Sequence, residues 1–275
     1  GITKTPFIAA ISGLGPAFGN IRSRSKIYRY LLTKIFKIIL SPNTVRVICQ
    51  NPSDKKTLID LGVTQENKIH ILSGSGVDLT KFQPLKKKEK QKNYVLMAAR
   101  LLRDKGIEDY CNAAKLLKMR YDLDFKLAGV NDQLSPTRLK REYVEDLCKK
   151  TGVEFLGARD DMNILLGTST VFVYPSFYAE GLPKVLQEAA ACGTPVLTSD
   201  LPGCRDAVIQ NYNGFLFEPN NITDLIEKFH QLMNSDIKVF SRNARSLAVN
   251  NFDENEIVKG HYRIYKSLLV NDYKH

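Results

Sequence analysis

The sequence predicts an α/β protein built on a parallel sheet with helices on both faces. From residue 94 onward, short apolar segments alternate with longer segments whose apolar residues recur at helical spacing. Strands that are short and almost wholly apolar are typical of a parallel sheet buried on both faces. The composition, 43% hydrophobic and 25% charged among 275 residues, is that of an ordinary globular protein.

The elements follow one another in a regular order. Near the beginning, strands are predicted at 7–11, 45–48 and 69–72, with one helix over 22–40 and a second that Ser53 caps and Gly62 ends. Later strands are predicted at 94–98, 125–128, 153–156, 171–174, 195–198 and 215–217. Helices are predicted at 106–120, 136–150, 162–166, 183–191, 223–233, 237–250 and 255–269. Ligands of such a sheet bind beyond the carboxyl ends of its strands, so the following loops are the candidate site.

Positive charge is concentrated near the beginning of the sequence. The net charge is +11, and no acidic residue precedes Asp54. Charge this uneven indicates an anionic partner: lipid headgroups, a phosphorylated substrate or nucleic acid. The segment 22–40 combines six basic residues with an apolar stripe, as interfacial helices do, so we expect a peripheral membrane surface as partner and no nucleic acid. Two alternatives stay open: the stripe packs on the N-terminal sheet, and the second basic run, 86–92, is a solvated linker.

Cysteine and histidine usage argues against disulfide and metal proteins. The five cysteines are odd in number and lack CxxC spacing, which favours reduced, buried thiols in a cytosolic protein. The histidines lie far apart, and the DxD of Asp122 and Asp124 precedes a strand, where we interpret it as helix-end and turn residues. We therefore expect no metal and no cofactor. The expected location is cytoplasmic, with peripheral attachment to the inner face of the plasma membrane.

Two loops carry the candidate chemistry. Arg100 and Lys105 follow the strand at 94–98 beside a helix start, where permanent cations suit a diphosphate and the charge that develops as it leaves. Taken alone, such cations are more often ordinary surface residues. In the loop after 171–174, Gly181 permits close approach of the backbone to a ligand. Pro183 suits the first turn of a helix whose free amides face the same ligand. Inside that helix, the Glu188 carboxylate can accept both hydroxyls of a ribose.

The segment 175–196 resembles the signature of the retaining glycosyltransferases of family 4, which have the GT-B fold of two facing Rossmann-like domains. The signature is a glutamate, seven residues, a second glutamate and a small-residue-rich Gly-x-Pro-Val strand, here Glu180, Glu188 and 193–196. The resemblance covers the chain from about Gly13 to its end. Further matching elements are Gly76-Val-Asp78 with Phe82, Leu201-Pro-Gly203 and Asn213-Gly-Phe-Leu216.

This resemblance implies transfer of a hexose or N-acetylhexosamine from a UDP-sugar donor substrate to a hydroxyl of a glycan or polyprenyl-linked acceptor, with retention and without metal. Glu188 would hold the ribose, and Arg100 with Lys105 the diphosphate. The other implied contacts are the sugar hydroxyls for Glu180, sugar and phosphate for the backbone near Gly181, Leu182, Pro183 and Lys184, and the base for the loop containing Gly157 and Arg159.

The sequence also departs from the family pattern. The expected glycine-rich loop near the start is absent, and too few strands precede Pro84 for a full Rossmann-like domain. We therefore expect an incomplete acceptor-binding domain at 1–84 and a nucleotide-sugar-binding domain at 85–275. Ser12 stands where many relatives have histidine, which favours the subgroup that transfers amino sugars to polyprenyl-diphosphate-linked acceptors. A sugar-nucleotide epimerase of the same fold and a non-catalytic nucleotide-binding fragment remain alternatives.

Overall fold

In the part of the protein that the structure describes, all neighbouring strands are parallel, as the sequence predicts. The structure, a computed structural model, describes residues 5–15, 26–86 and 92–272. A three-stranded sheet has the order β1-β2-β3, and a six-stranded sheet has the order β6-β5-β4-β7-β8-β9. The strands are β1 (Phe7–Ile11), β2 (Val45–Cys49), β3 (Ile69–Ile71), β4 (Tyr94–Arg100), β5 (Asp124–Val130), β6 (Glu154–Gly157), β7 (Val171–Tyr174), β8 (Val196–Ser199) and β9 (Gly214–Phe217).

Helices connect the strands and close the chain. They are α1 (Lys26–Leu40), α2 (Pro52–Asp60), α3 (Ile107–Leu117), α4 (Arg141–Thr151), α5 (Met162–Thr168), α6 (Lys184–Ala191), α7 (Ile222–Met233), α8 (Ile237–Asn251) and α9 (Glu254–Asp272). Of the helix predicted over 22–40, the part at 22–25 lies outside the described residues.

Two helix starts differ from the prediction for identifiable reasons. The helix expected from residue 136 begins at Arg141, because the Arg103 amide donates to Thr137 and the Leu139 amide donates to Leu101. Together with the antiparallel bridge between Leu102 and Arg138, those bonds keep 137–139 out of the helix. Asn51, rather than Ser53, caps α2, since its side-chain oxygen accepts from the Asp54 amide at 2.7 Å.

The six-stranded sheet is buried on both faces. Alternate residues of β4 enter two separate apolar cores: Val95 and Met97 pack beneath α3, α4 and α7, whereas Leu96 and Ala98 pack beneath α6 and α8. Val95, Leu96 and Met97 are fully buried, and Ala98 is 7% exposed. Burial on both faces of the sheet explains why its strands are apolar throughout.

The predicted apolar stripe of α1 divides in two. Leu32 and Phe36 of the stripe pack on the core of the three-stranded sheet, so packing on that sheet accounts for part of the stripe. The rest of it stays in solvent: Tyr28, Leu31, Ile35 and Ile39. No described helix has the length and apolarity that a membrane span requires.

The structure shows where the cysteines and the DxD motif of Asp122 and Asp124 lie. All five cysteines are buried free thiols, as predicted. Asp124 is the first residue of β5 rather than a turn residue, which corrects the prediction for half of the DxD motif. Lys92 forms ion pairs with both Asp122 and Asp124, at the amino end of the sheet and away from the candidate site.

The end of the chain returns to the three-stranded sheet. Val77 pairs with Asp253 in an isolated parallel bridge, and Gly260 of α9 lies against Leu72. Gly76 has a φ of +77°, and a Cβ there would overlap the Glu254 backbone. The turn after β3 is therefore fixed against the start of α9, which sets how the loops of the two sheets meet.

Candidate functional site

Loops from the carboxyl ends of both sheets enclose a cleft of about 300 Å³. Ser12, Gly13 and Gln50 line it from the three-stranded sheet. The wall on the other side contains five of the predicted site residues, namely Glu180, Gly181, Leu182, Pro183 and Lys184. The structure therefore brings this predicted loop to a cleft at the strand ends, where a parallel sheet binds its ligands.

A buried ion pair lies at the base of this loop. Lys105 Nζ is 2.6 Å from Glu180 Oε1, and the two side chains are 6% and 22% exposed. The same carboxylate oxygen accepts a hydrogen bond from the Tyr174 hydroxyl at 3.0 Å and a longer one from Ser176 at 3.5 Å. The ammonium also lies 5.9 Å from the centre of the Tyr178 ring. Lys105 and Glu180 are thus fixed partners, which the sequence did not indicate.

The backbone after β4 explains why a lysine can be buried there. Lys105 ends a short 3₁₀ turn, Arg103–Lys105, and Gly106 follows with a φ of +74°. A Cβ on Gly106 would collide with the Pro175 carbonyl, so this chain reversal requires glycine. The turn directs Lys105 inward beneath the loop that carries Glu180.

Arg100 is placed differently. It is the last residue of β4, its side chain is 57% exposed, and its guanidinium is 2.7 Å from Asp132. Asp132 lies in the loop after β5, the neighbouring strand. Arg100 and Lys105 therefore both reach the strand ends, but Arg100 does so from an exposed rim.

Helix α6 begins in the wall of the cleft without a side-chain cap. Pro183 is its N-cap rather than its first residue, and no side chain in the described part of the protein bonds the first-turn amides. Lys184, the first helical residue, is exposed and lines the cleft. Uncapped amides and a nearby ammonium make this helix start suitable for an anion.

Glu188 faces a second, smaller cavity of about 210 Å³ on the other side of the loop. Ala98, Val130, Arg159 and Met162 are among the residues that line it. Burial raises the pKa of the Glu188 carboxyl, and Lys184 and Lys81 partly offset that rise. A half-buried carboxylate among apolar walls with one guanidinium nearby suits a ribose and a flat base.

The loop predicted to meet a base is divided between two places. Arg159 lines the Glu188 cavity and makes a bidentate ion pair with Asp161, at 2.8 and 2.6 Å. Gly157 instead lines an outer groove beside Arg141 and Phe155. Only Arg159 of the two thus shares a cavity with Glu188.

Sequence reasoning missed several residues of this region. Gln50 and Asn51 reach the loop from the end of β2, Asp132 pairs with Arg100, and Tyr174 and Tyr178 flank the buried ion pair. The rule that ligands gather at strand ends could have found the first two, had it been applied to the first sheet as well. Within 5–15, 26–86 and 92–272, no three His, Cys, Asp or Glu side chains converge as metal ligands would.

Comparison with known proteins identifies the family. The family described as glycosyl transferases group 1 matches residues 79–247. The chain is 31% identical over 284 residues to the N,N'-diacetylbacillosaminyl-diphospho-undecaprenol alpha-1,3-N-acetylgalactosaminyltransferase of Campylobacter jejuni, covering 98% of this chain and 72% of that one. It is 29% identical over 273 residues to the UDP-Gal:alpha-D-GlcNAc-diphosphoundecaprenol alpha-1,3-galactosyltransferase of Escherichia coli, covering 94% and 68%.

A solved structure shows the same fold. Sucrose-phosphate synthase from Thermosynechococcus elongatus superposes with a TM-score of 0.80 at 22% identity, over 96% of this chain and 68% of that one. The GT-B fold expected from the sequence is thereby confirmed. The fold, the family match and the relatives agree, and the chain belongs to the glycosyl transferases of group 1.

Proposed function

We propose that this protein transfers a hexose or N-acetylhexosamine from a UDP-sugar to a hydroxyl of a polyprenyl-diphosphate-linked saccharide, with retention of anomeric configuration. The observation that carries the proposal is the Lys105–Glu180 pair beside the uncapped start of α6. A cation lies directly beneath the cleft, and the cleft wall contains its carboxylate partner and a helix start. A departing diphosphate and a sugar rich in hydroxyls need these groups together.

The proposed donor complex has one orientation. The ribose and base occupy the cavity with Glu188 and Arg159, the diphosphate lies near Lys105, Arg100 and the α6 start, and the sugar enters the cleft beside Glu180. Support for uridine comes from the relative whose name specifies UDP-Gal as its donor. Leaving-group stabilisation by the cations and the helix start is then the main electrostatic contribution.

Retention is proposed without a side-chain nucleophile. Glu180, the carboxylate nearest the sugar, is already bound by Lys105 and Tyr174, so its oxygen acts as a hydrogen-bond acceptor and not as a free nucleophile. In the same-face mechanism proposed here, the departing phosphate oxygen takes the proton of the incoming hydroxyl. The new glycosidic bond forms on the face that the diphosphate leaves.

The acceptor assignment rests on the relatives. Both relatives described above are named for acceptors that carry a saccharide on diphospho-undecaprenol or diphosphoundecaprenol. Ser12 lines the cleft opposite Glu180, where a small residue leaves room for an acceptor sugar. We propose an acceptor of the same class.

The first experiment is calorimetric titration with UDP, ADP and GDP in EDTA. We expect UDP to bind best and chelation to have no effect, because no cluster of metal ligands faces the cleft among the described residues. The Glu188→Ala variant is the negative control. Binding that disappears in EDTA would contradict the metal-free proposal. The anomeric configuration of the new glycosidic bond, read by NMR of the product, tests retention, and acceptor-dependent UDP release separates transfer from epimerisation.

We also propose that α1 attaches the protein to an anionic membrane surface. Ile27 and Ile38 are 71% and 74% exposed, and exposed Lys34 and Lys37 lie beside them on the helix. A wide apolar face with lysines along one edge is the arrangement of interfacial helices. Each basic residue near an anionic bilayer contributes about 1 kcal/mol.

Cosedimentation with vesicles tests this attachment. We expect binding to anionic but not neutral vesicles at low salt, with loss on Lys34→Glu plus Lys37→Glu. Lys149→Glu plus Lys150→Glu on α4 is the matched control, because it changes the net charge equally on another surface. Equal binding by the two double variants, or none by the wild type at low salt, contradicts the proposal.

A further inference from the structure

The peptide between Gly181 and Leu182 is held from both sides by residues of the other sheet. The Gln50 side-chain oxygen accepts from the Leu182 amide at 3.2 Å, and the Asn51 side-chain amide donates to the Gly181 carbonyl at 2.9 Å. Gln50 and Asn51 directly follow β2 of the three-stranded sheet. Two adjacent side chains thus bond both polar groups of one peptide 130 positions along the chain.

A third side-chain amide extends this contact to the turn after β3. Gln187 of α6 is fully buried; its nitrogen donates to the Leu182 carbonyl at 3.1 Å, and its oxygen accepts from the Gly76 amide at 3.1 Å. Gly76 lies against the start of α9, where the chain returns to the first sheet. The loop is therefore connected to both places where the two sheets meet.

The backbones approach so closely that only glycine fits. A Cβ on Gly181 would overlap the Ser12 carbonyl and the Gln50 side chain, and a Cβ on Gly13 would lie 2.6 Å from the Gly181 nitrogen. Gly203 packs against the Gly181 carbonyl from the six-stranded side. With so little space, a small displacement of the first sheet must move the peptide or break its hydrogen bonds.

We infer that Gln50 and Asn51 are positioning residues, which hold the loop between Glu180 and α6 in its reactive geometry only while the loops of the two sheets are in contact. The inference rests on the proposed function, because the loop contributes Glu180 on one side of the peptide and the start of α6 on the other. Neither residue needs to touch the nucleotide, since Glu188 and Arg159 line a separate cavity.

This role makes the donor site dependent on closure. When the sheets separate, Gln50 and Asn51 leave with the first sheet, and the Leu182 amide and Gly181 carbonyl lose their partners. Glu180 keeps its bond to Lys105, but Gln50 and Asn51 no longer fix its position relative to the start of α6. UDP can then bind to the six-stranded side alone, whereas reaction requires the closed arrangement.

The chain offers variants that separate positioning from folding. Gln50→Met removes the acceptor at nearly constant length, and Gln50→Glu restores an acceptor oxygen. Asn51→Ser keeps an oxygen to cap α2 but is too short to reach Gly181. Gln65→Ala is the control, since Gln65 is an exposed amide side chain in the same part of the protein and makes no capping bond.

Three measurements on the whole chain test the inference: amide exchange, UDP affinity and steady-state turnover. Amide exchange over 180–186, where Pro183 has no amide, should be about fivefold faster in Gln50→Met and Asn51→Ser without ligand, the factor that one lost neutral hydrogen bond produces. UDP affinity should change less than about twofold. The turnover number for UDP release from a UDP-sugar should fall roughly ten- to a hundredfold with little change in KM, because misplaced donors are costly.

The outcomes separate this inference from the proposed function. If the wild type does not bind UDP, the proposed donor is wrong, yet the exchange comparison still decides whether the peptide is held as described. Unchanged exchange over 180–186, or turnover in Gln50→Met and Asn51→Ser equal to that of Gln65→Ala, overturns the positioning role. A parallel loss of UDP affinity overturns it too. Turnover that is low in Gln50→Met and recovers in Gln50→Glu supports the positioning role, because a general defect in folding would not depend on whether residue 50 has an acceptor oxygen.

Discussion

The two cations at the carboxyl end of β4, Arg100 and Lys105, occupy opposite environments. Lys105 is buried and paired with Glu180 beneath the cleft, whereas Arg100 is mostly exposed and paired with Asp132 at the rim. Charges removed from water interact strongly but are costly to leave unpaired. Exposed pairs contribute little, because solvent and salt screen them. Although Arg100 and Lys105 are only five positions apart in sequence, we therefore expect the loss of Lys105 to lower turnover and stability far more than the loss of Arg100.

The largest effect is expected for Lys105→Met. Loss of one preorganised electrostatic contact costs about 2.7–4 kcal/mol in the transition state, so kcat should fall roughly a hundred- to a thousandfold. Stability should also fall, because Glu180 is left as an unpaired, mostly buried carboxylate. The measurements are turnover and the free energy of unfolding.

A double variant distinguishes these two effects of Lys105→Met. Adding Glu180→Gln removes the unpaired carboxylate, and we expect stability to recover while turnover stays low. Arg103→Ala is the control, since Arg103 is an exposed cation of the same turn whose partner is Glu108. If Lys105→Met lowers turnover no more than Arg103→Ala does, the burial of Lys105 does not make it more important for turnover than an exposed cation.

The next effect separates the two glutamates. Glu188→Ala should lower UDP affinity by roughly ten- to a hundredfold, because hydrogen bonds to a charged acceptor are worth about 1.5–3 kcal/mol. Glu180→Gln should lower turnover more than UDP affinity, since Glu180 lines the cleft and Glu188 lines the other cavity. Calorimetry and steady-state kinetics measure the two. Equal losses of UDP affinity would show that the two cavities do not divide the donor as proposed.

The course of the fold could be predicted where local pattern determines it. Alternating apolar segments located the strands of the six-stranded sheet within a few residues, because burial on both faces leaves an uninterrupted apolar signal. The start of α4 was missed by five residues for the opposite reason. Residues 137–139 are not helical because they bond 101–103, and that contact depends on tertiary position.

The site could be predicted where function requires particular residue types at fixed spacing. That spacing singled out Glu180 and Glu188 as candidates, and each of them lines a cavity at the strand ends; their roles in donor binding stay predictions. The partners were not found. Asp132 meets Arg100 because β5 lies beside β4, and Gln50 meets Leu182 because the two sheets face each other. Neither adjacency is encoded in a local pattern.

A smaller effect follows from the burial of Glu188. Burial raises the pKa of its carboxyl above the ordinary glutamate value of about 4.3. In the proposed donor complex the ionised form accepts the ribose hydroxyls, so UDP affinity should be full above the raised pKa. It should decline as the pH falls through that pKa, beginning at a higher pH than an ordinary glutamate would require.

Stability should respond in the opposite direction at the same group. A carboxyl whose pKa is raised in the folded protein stabilises the fold below its unfolded pKa, and this contribution is lost as the pH rises through the folded pKa. Titrations of UDP from pH 5 to 8 on wild type and Glu188→Gln test the statement on affinity, and the free energy of unfolding of the two proteins over the same pH range tests the statement on stability. The variant should bind weakly at every pH. An equal pH dependence in the variant would assign it to another group.

The smallest effect is expected at the exposed rim, and it has a distinctive sign. Arg100→Ala should weaken UDP affinity about fivefold, as the loss of one solvent-exposed, screened contact to a diphosphate does. Asp132→Asn should strengthen it about twofold, because it releases the guanidinium from a carboxylate 2.7 Å away that competes with the diphosphate. Both substitutions should change the free energy of unfolding by no more than about 1 kcal/mol. The effect of each substitution on UDP affinity should become smaller at high salt. Titrations of UDP into each variant at two salt concentrations measure this. If Asp132→Asn instead weakens binding as Arg100→Ala does, then Asp132 orients the guanidinium for the ligand, and the rim resembles the buried Lys105–Glu180 pair more closely than its exposure suggests.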